Sequence, residues 1–134
     1  MQAETATSTV SKKMLWAGRI LSALPALFLL VDGVGKLIKP APVVEATVRL
    51  GYSESVIVPL GIVLLVCTVV YLIPRTAVLG AILLTGYLGG AVATHVRTGD
   101  SLFSIFFPVI LGVLLWGGIF LRDDRLRSLI PLRA

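Results

Sequence analysis

Residues 56–73 read VIVPLGIVLLVCTVVYLI, a run of eighteen residues without a charged side chain. A helix needs about 20 mainly apolar residues to cross the hydrocarbon core of a bilayer. The run follows the polar segment 51–55 (GYSES) and is closed by Pro74 and Arg75, which predict a very tight turn. The stretch therefore predicts a transmembrane helix.

The composition of the whole chain agrees with this prediction. The 134 residues are 57% hydrophobic and 14% charged, and the mean hydropathy is +0.98. Soluble domains are closer to about 45–50% apolar and about 25% charged. Four spans would use about 80 positions, which leaves no room for a separate soluble domain.

The fold class predicted from the apolar runs is all-α, a four-transmembrane-helix antiparallel bundle with a short surface helix between spans one and two. The surface helix covers 43–50 and is expected to end at Gly51, a plausible C-cap. The chain then divides into a disordered cytoplasmic tail (1–13), a membrane domain (14–121) and a cytoplasmic tail (122–134). Span one starts at Met14 or, if Arg19 marks the interface, extends to about Ile38.

The distribution of basic residues predicts the orientation of the bundle. Eight Lys and Arg lie on the side that carries both termini, and four lie on the other side. Because cytoplasmic loops carry an excess of Lys and Arg, both termini are expected in the cytoplasm.

Ionisable residues near the ends of spans one and three predict a polar pocket. Asp32 and Lys36 are four apart and share a helix face. His95 ends span three, which crosses in the same direction, so all three lie on one membrane side. A charge in the membrane costs roughly 2.5–3.5 kcal/mol unless it is paired or hydrated. Asp32 is therefore expected to face the bundle and to be neutralised by Lys36, His95 or both.

Three further residues, Tyr87, Thr94 and Trp116, complete the candidate pocket. A purely structural interpretation stays open for each member: Lys36 reaching lipid headgroups, Asp32 and Lys36 as an ion pair without chemistry, His95 marking a span end, and aromatic residues serving as packing. Arg97 and Asp100 are expected to pair in a solvated loop. Gly86 and Gly90 form a GxxxG pattern, which favours a helix-packing seam inside the bundle over a contact between two copies.

Several functional classes are disfavoured by what the chain contains. The single histidine and single cysteine exclude a two-histidine metal site and a cysteine pair, so no metal site is expected. No serine or cysteine nucleophile accompanies His95, so no catalytic residues are assigned and an enzyme is not expected. Basic residues with interleaved aromatics are missing, so nucleic acid is not an expected partner.

Four segments carry a resemblance to a known family: FLLVDGVGKLIKP (28–40), GYSES (51–55), IPRTAVLGAILLTGYLGGAVATHVR (73–97) and FSIFFPVILGVLLWGG (103–118). Over about 14–120 the chain resembles DoxX-like membrane proteins. The resemblance implies a four-helix integral protein, usually bacterial, and so the bacterial inner membrane. The matching positions, to which the family attaches no established catalytic role, are Asp32, Gly33, Lys36, His95 and Arg97.

The resemblance leaves three functional hypotheses. The leading one is a non-catalytic accessory, assembly or small-ligand-binding bundle with a polar pocket near the exterior face. The second is a quinone-associated subunit of a redox complex, in which His95 bonds a quinone carbonyl and Tyr87 or Trp116 packs on the ring. The third is a small proton-coupled transporter that uses Asp32. Membrane lipid and a membrane protein or a second copy are the expected partners, and quinone is the one possible cofactor.

Overall fold

The computed structural model of the protein describes residues 12–129. This part of the chain is mostly helical and contains no strand. The predicted N-terminal tail lies mostly outside the described residues, as do residues 130–134 of the predicted C-terminal tail. The helices are α1 (Lys12–Ile38), α2 (Ala41–Arg49), α3 (Ile57–Leu72), α4 (Ala77–Arg97), α5 (Leu102–Arg122) and α6 (Asp124–Arg127), with short 3₁₀ turns at Glu54–Val56 and Pro74–Thr76.

Four segments are long and apolar enough to cross a membrane, and they contain α1, α3, α4 and α5. The predicted all-α, four-span fold is confirmed, and α2 is the short helix between the first two spans. Helix α1 packs against α3 and α5, and α4 packs against the same two helices. Helices α1 and α4, which run in the same direction, therefore occupy opposite corners of the bundle.

The end of α1 is set by local backbone geometry. Lys39 adopts a left-handed conformation with a φ of 59°, and its amide donates to the carbonyl of Gly35 at 2.9 Å. Pro40 follows and cannot continue the helix. Because the helix extends to Ile38, Asp32 lies about 9 Å inside its end at the rise of about 1.5 Å per residue.

Small residues let the helices approach closely, as expected for packing in lipid. A Cβ atom on Gly18 of α1 would lie 2.7 Å from the carbonyl oxygen of Gly118 on α5. A Cβ on Gly61 of α3 would lie 3.0 Å from the carbonyl of Gly33 on α1. Gly80 of α4 likewise sits against the backbone of Tyr71.

The expected packing seam at Gly86 and Gly90 is wrong. A Cβ atom at either position would meet no heavy atom within 4 Å, so neither glycine permits a helix contact. Both glycines instead line a partly open space, because the two helices at opposite corners do not pack against each other there.

A buried polar network joins three helices near the end of the bundle that carries the termini. The hydroxyl of Tyr71 lies 2.8 Å from Ser22 Oγ and 2.6 Å from the carbonyl oxygen of Leu115. Because a phenol has one proton and a carbonyl only accepts, Tyr71 donates to Leu115 and accepts from Ser22. Arg122 Nη2 donates to Ser22 Oγ at 2.9 Å. The network thereby ties α1, α3 and α5 together.

Candidate ligand-binding cavity

A cavity of about 460 Å³ lies between α1 and α4 at the end of the bundle remote from the termini. This volume is within the range of about 300–1,000 Å³ that is common for small-molecule sites. Thr47 and Leu50 at the end of α2 cover it, and Gly86 and Gly90 widen it. Its polar side chains include Asp32, Lys36, Tyr52, Tyr87, Thr94 and His95.

The structure gives Asp32 a defined partner. Lys36 Nζ lies 2.8 Å from Asp32 Oδ1, and the lysine side chain is 14% exposed against 35% for the aspartate. The buried residues Leu29 and Gly33 lie on the same side of α1, so the pair faces the bundle. Lys36 alone, and not His95, neutralises the aspartate among the described ion pairs.

His95 is paired with the loop that follows α4. Its Nδ1 lies 2.8 Å from Asp100 Oδ2. The hydrogen bond to His95, followed by one from the Ser101 amide, holds the pKa of Asp100 below its ordinary value. The expected pairing of Arg97 with Asp100 is therefore wrong. Arg97 Nη2 donates instead to the carbonyl of Leu50 at 2.8 Å.

Tyr52 is a cavity residue that the sequence reasoning missed. Gly51 has a φ of 97°, its amide donates to Val48, and the Tyr52 amide donates to Thr47 at 3.3 Å. These two bonds form a Schellman motif, which turns the chain sharply after α2. The turn places the Tyr52 hydroxyl 2.7 Å from Thr94 Oγ1. In the sequence, the glycine directly after a helical pattern indicated the turn. It did not show in which direction the side chain of Tyr52 would point.

Thr94 and Tyr87 supply hydroxyls to the α4 wall of the cavity. Thr94 donates to the carbonyl of Gly90 at 2.8 Å and therefore accepts from Tyr52. Tyr87 is partly buried and lines the cavity near Asp32 and Tyr52. Within residues 12–129 no hydrogen bond is made by the Tyr87 hydroxyl, which leaves it available to a ligand.

Trp116 does not share this cavity with the other five candidate residues. It lies in a separate apolar groove of about 640 Å³ between α4 and α5, where its Nε1 donates to Thr85 Oγ1 at 2.7 Å. The position of Trp116 along α5 explains why it lies outside the cavity. Trp116 lies fourteen residues, or about 21 Å, from the start of α5 at Leu102, whereas Asp32 lies near the end of α1.

The cavity offers binding groups rather than a reactive pair. The charges of Asp32 and Lys36 compensate each other, and His95 Nδ1 is held by Asp100. Across 12–129, no group of three or more His, Cys, Asp and Glu side chains is placed to hold a metal ion. Cys67, on α3, is buried and does not line the cavity.

The fold and cavity define a small multi-pass membrane protein built as a four-helix bundle. The model of the DoxX-like family matches residues 20–118, more than half of the chain. The chain belongs to the DoxX-like family, as the sequence motifs had indicated. No match was found among curated proteins or among solved structures.

Proposed function

We propose that this protein is a non-catalytic membrane protein that binds a small, membrane-soluble ligand in the cavity between α1 and α4. The observation that carries the proposal is this partly open cavity, whose wall presents the Tyr87 hydroxyl, a group that makes no hydrogen bond within residues 12–129. Small-molecule sites combine mostly apolar walls with a few polar groups of this kind. A ligand oxygen or nitrogen would satisfy this one.

The charges around the cavity indicate what kind of ligand fits. The charge of Asp32 is paired with that of Lys36, and His95 is hydrogen-bonded to Asp100, which lies outside the cavity. A ligand with a net charge would need an unpaired opposite charge in the cavity wall, because burying a charge without a partner costs free energy. The ligand is therefore uncharged or zwitterionic at its polar end.

The excess of Lys and Arg on the side of the termini supports the orientation with both termini in the cytoplasm. The cavity then opens towards the exterior face of the bacterial inner membrane. This position fits an accessory or assembly role, in which the protein handles the bound ligand or assists a partner protein.

The proposal is tested by filling the cavity. Gly90→Leu places a side chain into open space within the cavity, whereas Ala93→Leu places the same side chain on an exposed surface of the same helix. Native mass spectrometry of the purified wild type should show a retained small molecule. Gly90→Leu should lose it and Ala93→Leu should keep it. A wild type that carries no ligand, or equal retention in both variants, contradicts the proposal.

A quinone-associated membrane subunit is the second candidate, and one feature of the walls favours it. The rings of Phe28 and Phe107 line one side of the cavity and pack edge to face, with 5.1 Å between their centroids. From another side of the cavity, the Tyr87 hydroxyl can donate to a carbonyl oxygen of the ligand. Aromatic side chains and a hydroxyl donor suit a ring that bears carbonyl oxygens. Solvent extraction should yield quinone from the wild type and less from Tyr87→Phe or His95→Ala. Extracts without quinone would exclude it.

A further inference from the structure

The apolar groove that contains Trp116 adjoins the polar cavity. Leu88 of α4 and Pro108 of α5 line both spaces, so these two side chains form the wall between them. Neighbouring residues of α4 lie on opposite sides of this wall. Gly89 lines the groove and Gly90 lines the cavity, and neither has a heavy atom within 4 Å of its Cβ position.

The groove runs in the direction that a lipid tail would take. On α5 it extends from Pro108 to Phe120, which is about 18 Å of helix. It starts beside the cavity and continues away from the end of the bundle where Asp32 and His95 lie. A lipid in that leaflet places its head at this end and points its tail towards the bilayer centre, as the groove does.

The chemistry of the groove also suits a hydrocarbon chain. The indole N–H of Trp116 and the hydroxyl of Thr85 in the groove satisfy each other, since Trp116 Nε1 donates to Thr85 Oγ1 at 2.7 Å. Gly89, Gly112 and Gly117 keep the floor open, and the remaining lining is mostly aliphatic or aromatic. The groove volume of about 640 Å³ is larger than that of the cavity.

We propose that the cavity and the groove hold one ligand, a single-chain membrane amphiphile with an uncharged or zwitterionic head. The head lies among Asp32, Lys36 and Tyr87, and the tail passes between Leu88 and Pro108 into the groove after rotation of the leucine side chain. This inference rests on the proposed function and adds the class of ligand to it.

The tail of the ligand is expected to affect where the ligand lies more than how tightly it binds. Bilayer tails are as apolar as the groove, so a tail that moves from lipid into the groove gains little from the hydrophobic effect. The decisive measurement is therefore where the tail lies. Two photoreactive monoacylglycerols are suitable probes, one with a dodecanoyl chain and one with a butanoyl chain, each carrying a diazirine at the chain end.

In wild-type protein, the dodecanoyl probe should label peptides that contain Val109 and Val113 in the groove. The butanoyl probe should label the cavity around Tyr87. If neither probe labels either space, the inference and the proposed function fall together. If the butanoyl probe labels the cavity but the dodecanoyl chain end does not reach the groove, the proposed function stands and the shared ligand is refuted.

Two adjacent glycine substitutions separate head from tail. Gly89→Phe fills the groove and should reduce dodecanoyl labelling of α5 at least tenfold while butanoyl labelling of the cavity continues. Gly90→Phe fills the cavity and should abolish both. Ala93→Phe, which borders neither space, should change neither. Groove labelling that persists in Gly90→Phe would show that bilayer lipid enters the groove independently, which overturns the inference.

Discussion

Lys36 and Asp32 form an ion pair on the cavity face of α1, with 2.8 Å between Nζ and Oδ1. The lysine is the more buried partner. If either side chain is neutralised alone, the other charge remains in a partly buried position without its counter-charge. The pair therefore keeps the cavity neutral as well as joining successive turns of the helix.

The first prediction follows from that relationship. Asp32→Asn and Lys36→Met should each lower the free energy of unfolding by on the order of 1–3 kcal/mol, because each leaves the remaining charge without its counter-charge. The double variant should lose less than the sum, since no unpaired charge remains. Equilibrium unfolding in detergent micelles measures all three. Strictly additive losses would show that the two side chains act independently.

The sequence predicted this pair because its two members are local. A spacing of four places them on one helix face whatever the rest of the fold does. The partner of His95 was not predictable in the same way. Gly99 has a φ of 70°, and the Asp100 amide donates back to the His95 carbonyl at 3.0 Å. This Schellman motif folds the aspartate onto the histidine, a result that depends on the backbone of the loop.

The glycines show the other limit of sequence reasoning. A GxxxG pattern identifies small residues at one helix face but not what that face meets. Gly86 and Gly90 face the cavity, whereas Gly18 and Gly118 permit the close approach of α1 and α5. Glycines that are spaced irregularly along different helices make the contacts here, so only the tertiary arrangement reveals them.

The second prediction tests one of those contacts. A Cβ on Gly118 would lie 2.8 Å from the carbonyl oxygen of Gly18 and against Ser22, so Gly118→Ala should destabilise the protein by about 1–3 kcal/mol through overpacking. Gly117→Ala is the matched control. Its new Cβ would lie 3.9 Å from Leu21 Cδ1, and alanine is the better helix former by about 1 kcal/mol.

Thermal unfolding in the same detergent should distinguish the two variants by their melting temperatures relative to the wild type. Gly118→Ala should melt below the wild type, and Gly117→Ala should melt at or above it. Equal melting temperatures would mean that α1 and α5 can shift apart at no cost.

The third prediction concerns acid. The His95 hydrogen bond holds the pKa of Asp100 below its ordinary value of 3.8. A carboxyl group with a lowered folded-state pKa stabilises the fold above its ordinary pKa and loses that contribution as the pH falls through the folded-state value. The melting temperature of wild type minus that of Asp100→Asn should therefore be larger above about pH 3.8 than in stronger acid, where it should shrink as the pH falls.

His95→Gln provides the control for that cause. Without the imidazole, the pKa of Asp100 should move back towards its ordinary value, so the loss of stability should begin at a higher pH than in the wild type. Nuclear magnetic resonance titration of a labelled aspartate carboxyl would follow this directly. An identical titration in both proteins would assign the lowered pKa to the Ser101 amide instead.

The last prediction concerns the segment that covers the cavity. Two hydrogen bonds attach it to α4: the Tyr52 hydroxyl to Thr94 at 2.7 Å, and Arg97 to the carbonyl of Leu50 at 2.8 Å. A surface ion pair between Lys39 and Glu54 at 3.2 Å adds little, because exposed pairs are worth about 0–1 kcal/mol. The first two bonds are therefore expected to hold the cover in place.

Tyr52→Phe combined with Arg97→Met removes both bonds while keeping most of the side-chain volume. Amide hydrogen exchange should then increase in residues 43–52, since local opening depends on the few contacts that hold such a segment. Exchange in the middle of α3 and α5 should not change. Lys39→Met, which removes only the surface pair, is the control and should leave exchange in the cover near the wild-type rate. Equal exchange in the double variant and the wild type would mean that the packing of Leu50 and Thr47, rather than these two bonds, closes the cavity.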